Sequence, residues 1–148
     1  MDYLDHLSEF AARIEFGALA PALQEQALWI LADTAAAIVA GSAEPELRAL
    51  AARQAAQGNA TLIGLGRCAG AEAAALVNGS AGTFLELDEG NRFSRGHPAV
   101  HVIPAALALC EERALDASTF LSAVVVGYEV GSRLGAAARL RSASCTAM

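Results

Sequence analysis

Two histidines, three carboxylates and two arginines fall in one short window, Glu86-Leu-Asp88-Glu89-Gly-Asn91-Arg92-Phe-Ser94-Arg95-Gly-His97-Pro98-Ala-Val-His101. Long stretches elsewhere carry almost no charge. A carboxylate beside an imidazole divides acid and base work at neutral pH. Arginine holds a carboxylate through two parallel hydrogen bonds. A polar loop beside apolar helices has the composition of a small ligand pocket. His97 directly precedes Pro98, which biases its backbone to an extended form. If Pro98 takes the first helical position, His97 sits at the positive helix end, where an imidazolium is disfavoured and an anion is favoured.

Each residue also has a plainer reading. His97 as a helix cap or solvent-facing ring stands level with a chemical role. His101 lies in an apolar stretch and reads first as a core or rim histidine. His6 reads as surface, and Glu86, Asp88 and Glu89 as a solvated loop. Glu86, Asp88 and His97 are ligand types, but their spacing matches no standard metal loop, so no metal is expected. No G-x-S-x-G elbow is present for a serine hydrolase. Gly64-x-Gly66 resembles a dinucleotide loop only weakly, and a short hairpin or turn explains it better.

The elements that must position this window are helical. Leu4, Leu7, Phe10, Ala11 and Ile14 form one apolar face over about 2–15, ended by Gly17. Pro21 opens a second helix over about 20–41, apolar nearly all round beyond residue 27 and so expected to be central and buried. Glu44-Pro45-Glu46 starts a third, over about 45–57, stopped by Gly58-Asn59. A fourth runs over about 69–86, with Asn78-Gly79-Ser80 as a break or tight contact point. A fifth begins at Pro98 or Pro104 and reaches about 113. Asp116 caps a sixth that runs to about 140. The tail RSASCTAM has no periodicity. The fold class is therefore all-α: a bundle-like layer of about six helices, with at most one short hairpin near 60–66.

Composition sets outer bounds. The chain has 148 residues, 55% hydrophobic and 18% charged, with a formal charge of −6, 36 alanines and no lysine; its mean hydropathy is +0.39. That excludes disorder and favours helix. It argues against a nucleic-acid partner, which needs a basic face. Cys68, Cys110 and Cys145 show no CxxC spacing and read as buried thiols of a reducing compartment. The start, MDYLDHLSEF, lacks the basic and apolar regions of a signal peptide, and no uncharged apolar run reaches membrane-spanning length. The expectation is a cytoplasmic chain without membrane contact.

The run 78-NGSAGTFLELDEGNRFSRGHPAVHVIPAALALCEE-112 resembles the MmgE/PrpD family, which includes 2-methylcitrate dehydratase, cis-aconitate decarboxylase and iminodisuccinate epimerase. The shared order is Asn-Gly-Ser/Thr-Ala, an acidic run, His-Pro, then Pro-Ala-Ala-Leu-Ala. Residues 28-LWILADTAAAIVAGS-42 and 119-TFLSAVVVGYEVGSRLG-135 extend the likeness over essentially the whole chain. Here Glu86 replaces the first aspartate of the acidic run, and Gly90 stands where threonine is frequent.

The resemblance implies a cofactor-free lyase or isomerase acting on small di- or tricarboxylates, by proton abstraction next to a carboxylate. It places His97 on the active-site histidine, with Asp88, helped by Glu86, orienting it or sharing its proton. Glu89, Asn91 and His101 are candidate substrate contacts, and Arg92 and Arg95 join them on chemical grounds. Family chains are longer, with a second histidine motif, a lysine and a smaller α/β domain. Residues 1–148 therefore read as an N-terminal portion of the helical domain, either a fragment of a longer reading frame or a truncated relative, expected to be inactive alone and to associate as a homodimer or other homo-oligomer. The rival reading is a non-catalytic helical module that self-associates through its apolar faces.

Overall fold

The computed structural model describes residues 2–54 and 57–138. Among them are six helices: α1 (Tyr3–Arg13), α2 (Pro21–Ser42), α3 (Pro45–Arg53), α4 (Ala71–Phe84), α5 (Pro98–Glu112) and α6 (Ala117–Ala137). One antiparallel hairpin joins β1 (Ala60–Leu62) to β2 (Arg67–Ala69), with Thr61 opposite Cys68. The all-α class with one short hairpin is as expected.

Local chemistry sets the starts. Pro21, Pro45 and Pro98 each occupy the first turn of a helix, where the missing N–H has no intrahelical partner to lose. Pro104 lies inside α5, so the helix begins at the first of the two candidate prolines. Asp2 and Asp5 close a reciprocal capping box on α1. Gly64 and Gly66 take positive φ in the hairpin turn, which assigns the glycine pair to a turn.

Helix α4 is central, packed on α2 and α5. Alanine and glycine at the contacts let the backbones approach closely. Ile38, Leu47 and Ala81 form one buried cluster, and Ala99, Ile103 and Val124 another, with Tyr128 packed against it. Helix α2 departs from expectation. Only one face is buried, and Leu23, Leu28 and Trp29 are exposed, Trp29 at 66%. Apolar composition all round does not bury a helix at the edge of a layer. Among the described residues, no single helix is long and apolar enough to cross a membrane.

Asn78 and Gly79 do not break α4. The Asn78 amide is buried and completes the free edge of β1, accepting from Ile63 N at 2.9 Å and donating to the Thr61 carbonyl at 2.8 Å. Glu111 takes Thr61 N and Thr61 Oγ1 at 2.6 Å each. Asn78→Ala strands two main-chain groups, each costing about 1–3 kcal/mol. The expected loss is about 3 kcal/mol, read as a lower urea midpoint at unchanged slope; an unchanged midpoint would refute this role.

Asp116 caps α6 by accepting from Thr119 N at 2.8 Å. That amide, then the Thr119 hydroxyl, hold its carboxyl below the ordinary value, against weak desolvation. A lowered folded pKa stabilises above the unfolded pKa and loses that stability as pH falls through the folded value. Asp116→Ala should therefore melt earlier than the parent at neutral pH, and the two melting curves should converge in strong acid. A gap independent of pH would contradict the charge contribution.

Cys110 is buried, and burial, followed by the Asp116 charge, pushes its thiol up. Cys68 is exposed, contrary to the buried reading, because it lies on the outer strand of a two-stranded hairpin. Helix α6 ends at Ala137, a few residues before the expected end near 140, and Cys145 and the tail lie outside the described residues.

Candidate functional site

The candidate window is the connection from α4 to α5. Helix α4 ends at Phe84, and Glu86 follows in the left-handed region at φ 54, the position where helices commonly reverse into the next segment. Asn91 and Gly96 then pair as an isolated antiparallel bridge, with Asn91 N donating to Gly96 O at 2.8 Å. Asn91 Oδ1 accepts from Phe93 N at 2.9 Å and Ser94 N at 3.0 Å. Arg95, also at φ 54, turns the chain back. The loop thus delivers His97 to the N-cap of α5, with Pro98 as the first helical residue.

His97 Nδ1 lies 3.1 Å from Asp88 Oδ2 and 2.8 Å from the Glu89 carbonyl oxygen. Both partners only accept, so the neutral ring carries its proton on Nδ1 and keeps a lone pair on Nε2. The Asp88 side chain is 4% exposed and that of His97 is 48% exposed. A buried carboxylate therefore backs a half-exposed imidazole, an arrangement that orients the ring and supports the charge of a captured proton.

His97 opens onto a cavity of about 430 Å³, also lined by Ser94, Pro98, His101, Gly131 and Gly135. That lies within the usual range for small-ligand sites. His101 is one helical turn beyond His97, so both rings lie on the same side of the α5 start. His101 also borders a second cavity of about 380 Å³ between α4 and α5, with Ser80 and Thr83. His101 is exposed and so is no core histidine.

The other candidates separate. Glu89 turns inward: its Oε1 accepts from Ala99 N at 3.2 Å, and its Oε2 is buried with no hydrogen-bond partner. The positive end of α5 therefore holds the chain's own carboxylate. The Asn91 amide is committed within the protein, its Nδ2 donating to Tyr128 Oη at 3.2 Å and Ser132 Oγ at 3.3 Å. Glu86 is exposed, and its side chain makes no hydrogen bond or ion pair with the described residues. Arg92 is exposed with its guanidinium 5.1 Å from the Phe93 ring centre, and Arg95 is exposed. Neither arginine lines the His97 cavity. No group of three or more His, Cys, Asp or Glu among the described residues is placed to hold a metal ion.

Sequence reasoning missed the contribution of α6. Tyr128 and Ser132 anchor Asn91, while a Cβ on Gly135 would come within 2.8 Å of Ser94 O. Glycines at 127, 131 and 135 were the available signal, since their spacing of four marks one close-packed helix face. Burial first pushes the Tyr128 phenol up; the Asn91 bond opposes this, and the Glu89 charge adds to it.

Over 88 residues the chain is 35% identical to the cis-aconitate decarboxylase-like protein oryM of Aspergillus oryzae, covering 55% of this chain and 18% of that protein. No solved structure matches the chain. The MmgE/PrpD N-terminal domain matches residues 5–147, and the chain belongs to the MmgE/PrpD family.

Proposed function

We propose that the chain supplies the His97 wall of a lyase-type site for small di- or tricarboxylates, the chemistry being removal of a proton next to a carboxylate. One observation carries this reading: His97, a residue of the cavity wall, has its Nδ1 held by the buried Asp88 carboxylate and the Glu89 carbonyl, which leaves Nε2 with the free lone pair. The family and its decarboxylase-like relative support the reaction class. His97 takes the proton and Asp88 balances the charge. His101, which lines the same cavity, is a further donor for a substrate carboxylate. Arg92 and Arg95 supply positive charge at the loop surface, and Glu86 is a more distant member of the same acidic run. Glu89 and Asn91 build the loop in this reading and do not touch substrate.

One imidazole–carboxylate pair moves a proton but does not also hold two or three substrate carboxylates in register, and such orientation is worth roughly 7–11 kcal/mol of barrier. The isolated 148-residue chain is therefore expected to bind citrate or cis-aconitate weakly without turning either over. Titration of ¹⁵N-labelled protein should shift resonances of residues 88–101 with both acids and far less with acetate. Equal shifts with acetate, or none, would remove the polycarboxylate reading. Dehydration or decarboxylation by the purified chain, lost in His97→Ala, would refute inactivity alone.

The rival reading, a self-associating helical module, draws on the uncovered Leu23, Leu28 and Trp29 of α2. Homodimer formation is compatible with either reading. Light scattering tests association, while the titration tests the site.

A further inference from the structure

We propose that a further cavity, enclosed by α1, α2 and α6, binds a small uncharged apolar molecule, and that Tyr128 carries its occupancy to the loop before His97. The cavity measures about 360 Å³ and shares no lining residue with the His97 cavity. Phe10 and Ile14 wall it from α1 and its C-cap, Ala27 and Ile30 from α2, and Val125 and Tyr128 from α6. Three helices surround the space, so it is not a bare helix face. Phe10 and Ile14 contribute to its wall, yet no residue of α1 is buried. Interiors carry few voids larger than a water molecule, and apolar ones stay dry. An apolar cavity of about 150 Å³ takes benzene. This one accommodates a molecule about twice that size, such as a bicyclic aromatic or a short aliphatic chain.

The wall fixes the charge class of the ligand. Besides the Tyr128 phenol, its one ionisable group is Glu129, whose Oε1 accepts from Arg133 Nε at 2.7 Å. That pair is closed on itself, and the chain carries −6 overall, so an anion is repelled. The amide of Gln26 offers a neutral ligand one polar contact. Tyr128 links the cavity to the loop. Its hydroxyl accepts from Asn91 Nδ2 at 3.2 Å, and Asn91 in turn holds Phe93 N, Ser94 N and Gly96. Asn91 is not part of the cavity wall. A ligand packed on Tyr128 therefore reaches Asn91 through the phenol oxygen. Neither the site nor this link depends on His97 carrying a proton; an effect on catalysis does.

The test titrates the full chain, labelled with ¹⁵N and with ¹³C in its methyl groups, with indole and with indole-3-carboxylate. Indole should shift the Ile14, Ile30 and Val125 methyls to saturation with a Kd of about 1 mM or below, inside the ligand-efficiency bound for so small a molecule. The carboxylate should bind at least about tenfold more weakly, about 1.4 kcal/mol. Ala27→Leu fills the cavity from α2 and should abolish indole binding; Trp29→Ser removes the exposed indole ring of α2 and should leave it at the parent level. Parent-like binding in Ala27→Leu, or loss of it in Trp29→Ser, places the probe on the outer face of α2 and overturns the proposal. If Ala27→Leu fails to fold, the parent decides: nuclear Overhauser contacts from bound indole to the Ile14 and Val125 methyls are expected, and their absence overturns it. A dimer seen by light scattering and dissociated by indole would give the cavity to a second copy, and also overturns it. The Asn91 side-chain amide should shift with indole in the parent and not in Tyr128→Phe; a shift in both, or in neither, overturns the link to the loop. Loss of polycarboxylate binding with indole binding intact would count against the proposed function alone.

Discussion

His97→Ala should weaken citrate and cis-aconitate binding at least about tenfold, roughly 1.4 kcal/mol. That is the low end for a hydrogen bond to a charged group, about 1.5–3 kcal/mol, because the ring is 48% exposed and water competes for the same anion. The chain's net charge of −6 repels an anion elsewhere, so the remaining affinity must be local and should fall further with added salt. Asp88→Asn is expected to have a smaller effect. It removes the charge behind the imidazole, but the Glu89 carbonyl still accepts from Nδ1 and holds the ring. Calorimetry or NMR titration of both variants at two salt concentrations decides this. Asp88→Asn falling as far as His97→Ala would show that charge, not tautomer, controls the site. Parent-like binding in His97→Ala would remove His97 from the site altogether.

Gly41→Ala should be the most damaging addition of a single methyl group to the α2–α4 contact. A Cβ at Gly41 would overlap the Ala81 carbonyl oxygen and lie 2.9 Å from its carbon and 3.2 Å from its Cα. These are backbone atoms in the last turn of α4, so no rotamer change relieves the overlap. The helices must separate, and their small-residue contact opens. Overpacking costs typically about 1–3 kcal/mol and occasionally more, and this site belongs at the upper end. A loss of about 3 kcal/mol lowers the melting temperature by about 10 °C in a domain of this size. Because α4 feeds the loop that carries Asp88, polycarboxylate binding should fall as well. Gly17→Ala is the control, since nothing lies within 4 Å of its added Cβ. Thermal and urea unfolding followed by circular dichroism reads both. A parent-like melt for Gly41→Ala would mean that α2 and α4 do not pack as described.

Much of the architecture was legible along the chain. Prolines 21, 45 and 98 and Asp116 announced helix starts through local backbone chemistry, and Gly64 and Gly66 announced a turn. The clustering of carboxylates, arginines and histidines singled out residues 86–101, since long stretches elsewhere carry almost no charge. Errors arose where a residue's role depends on what packs against it. Asn78-Gly79 carries the local signature of a break, yet the amide serves a strand fifteen residues away, so α4 continues. The apolar surface of α2 suggested full burial, but a helix is covered only where neighbours exist.

The sequence by itself determined which residues compete for the site: their types, their order, and the His-Pro step that puts His97 at the head of α5. Those are properties of covalent neighbours and backbone preference. It did not determine which of three acids meets His97. Glu86, Asp88 and Glu89 are chemically near-equivalent, and only the turn at Glu86, the Asn91–Gly96 bridge and the anchors on α6 sort them. One points to solvent, one backs the imidazole, and one is buried against the helix start. The partner that completes Asn91, Tyr128, lies thirty-seven residues further on. Periodicity assigns a residue to a face of its own helix; only packing decides which loop that face will hold.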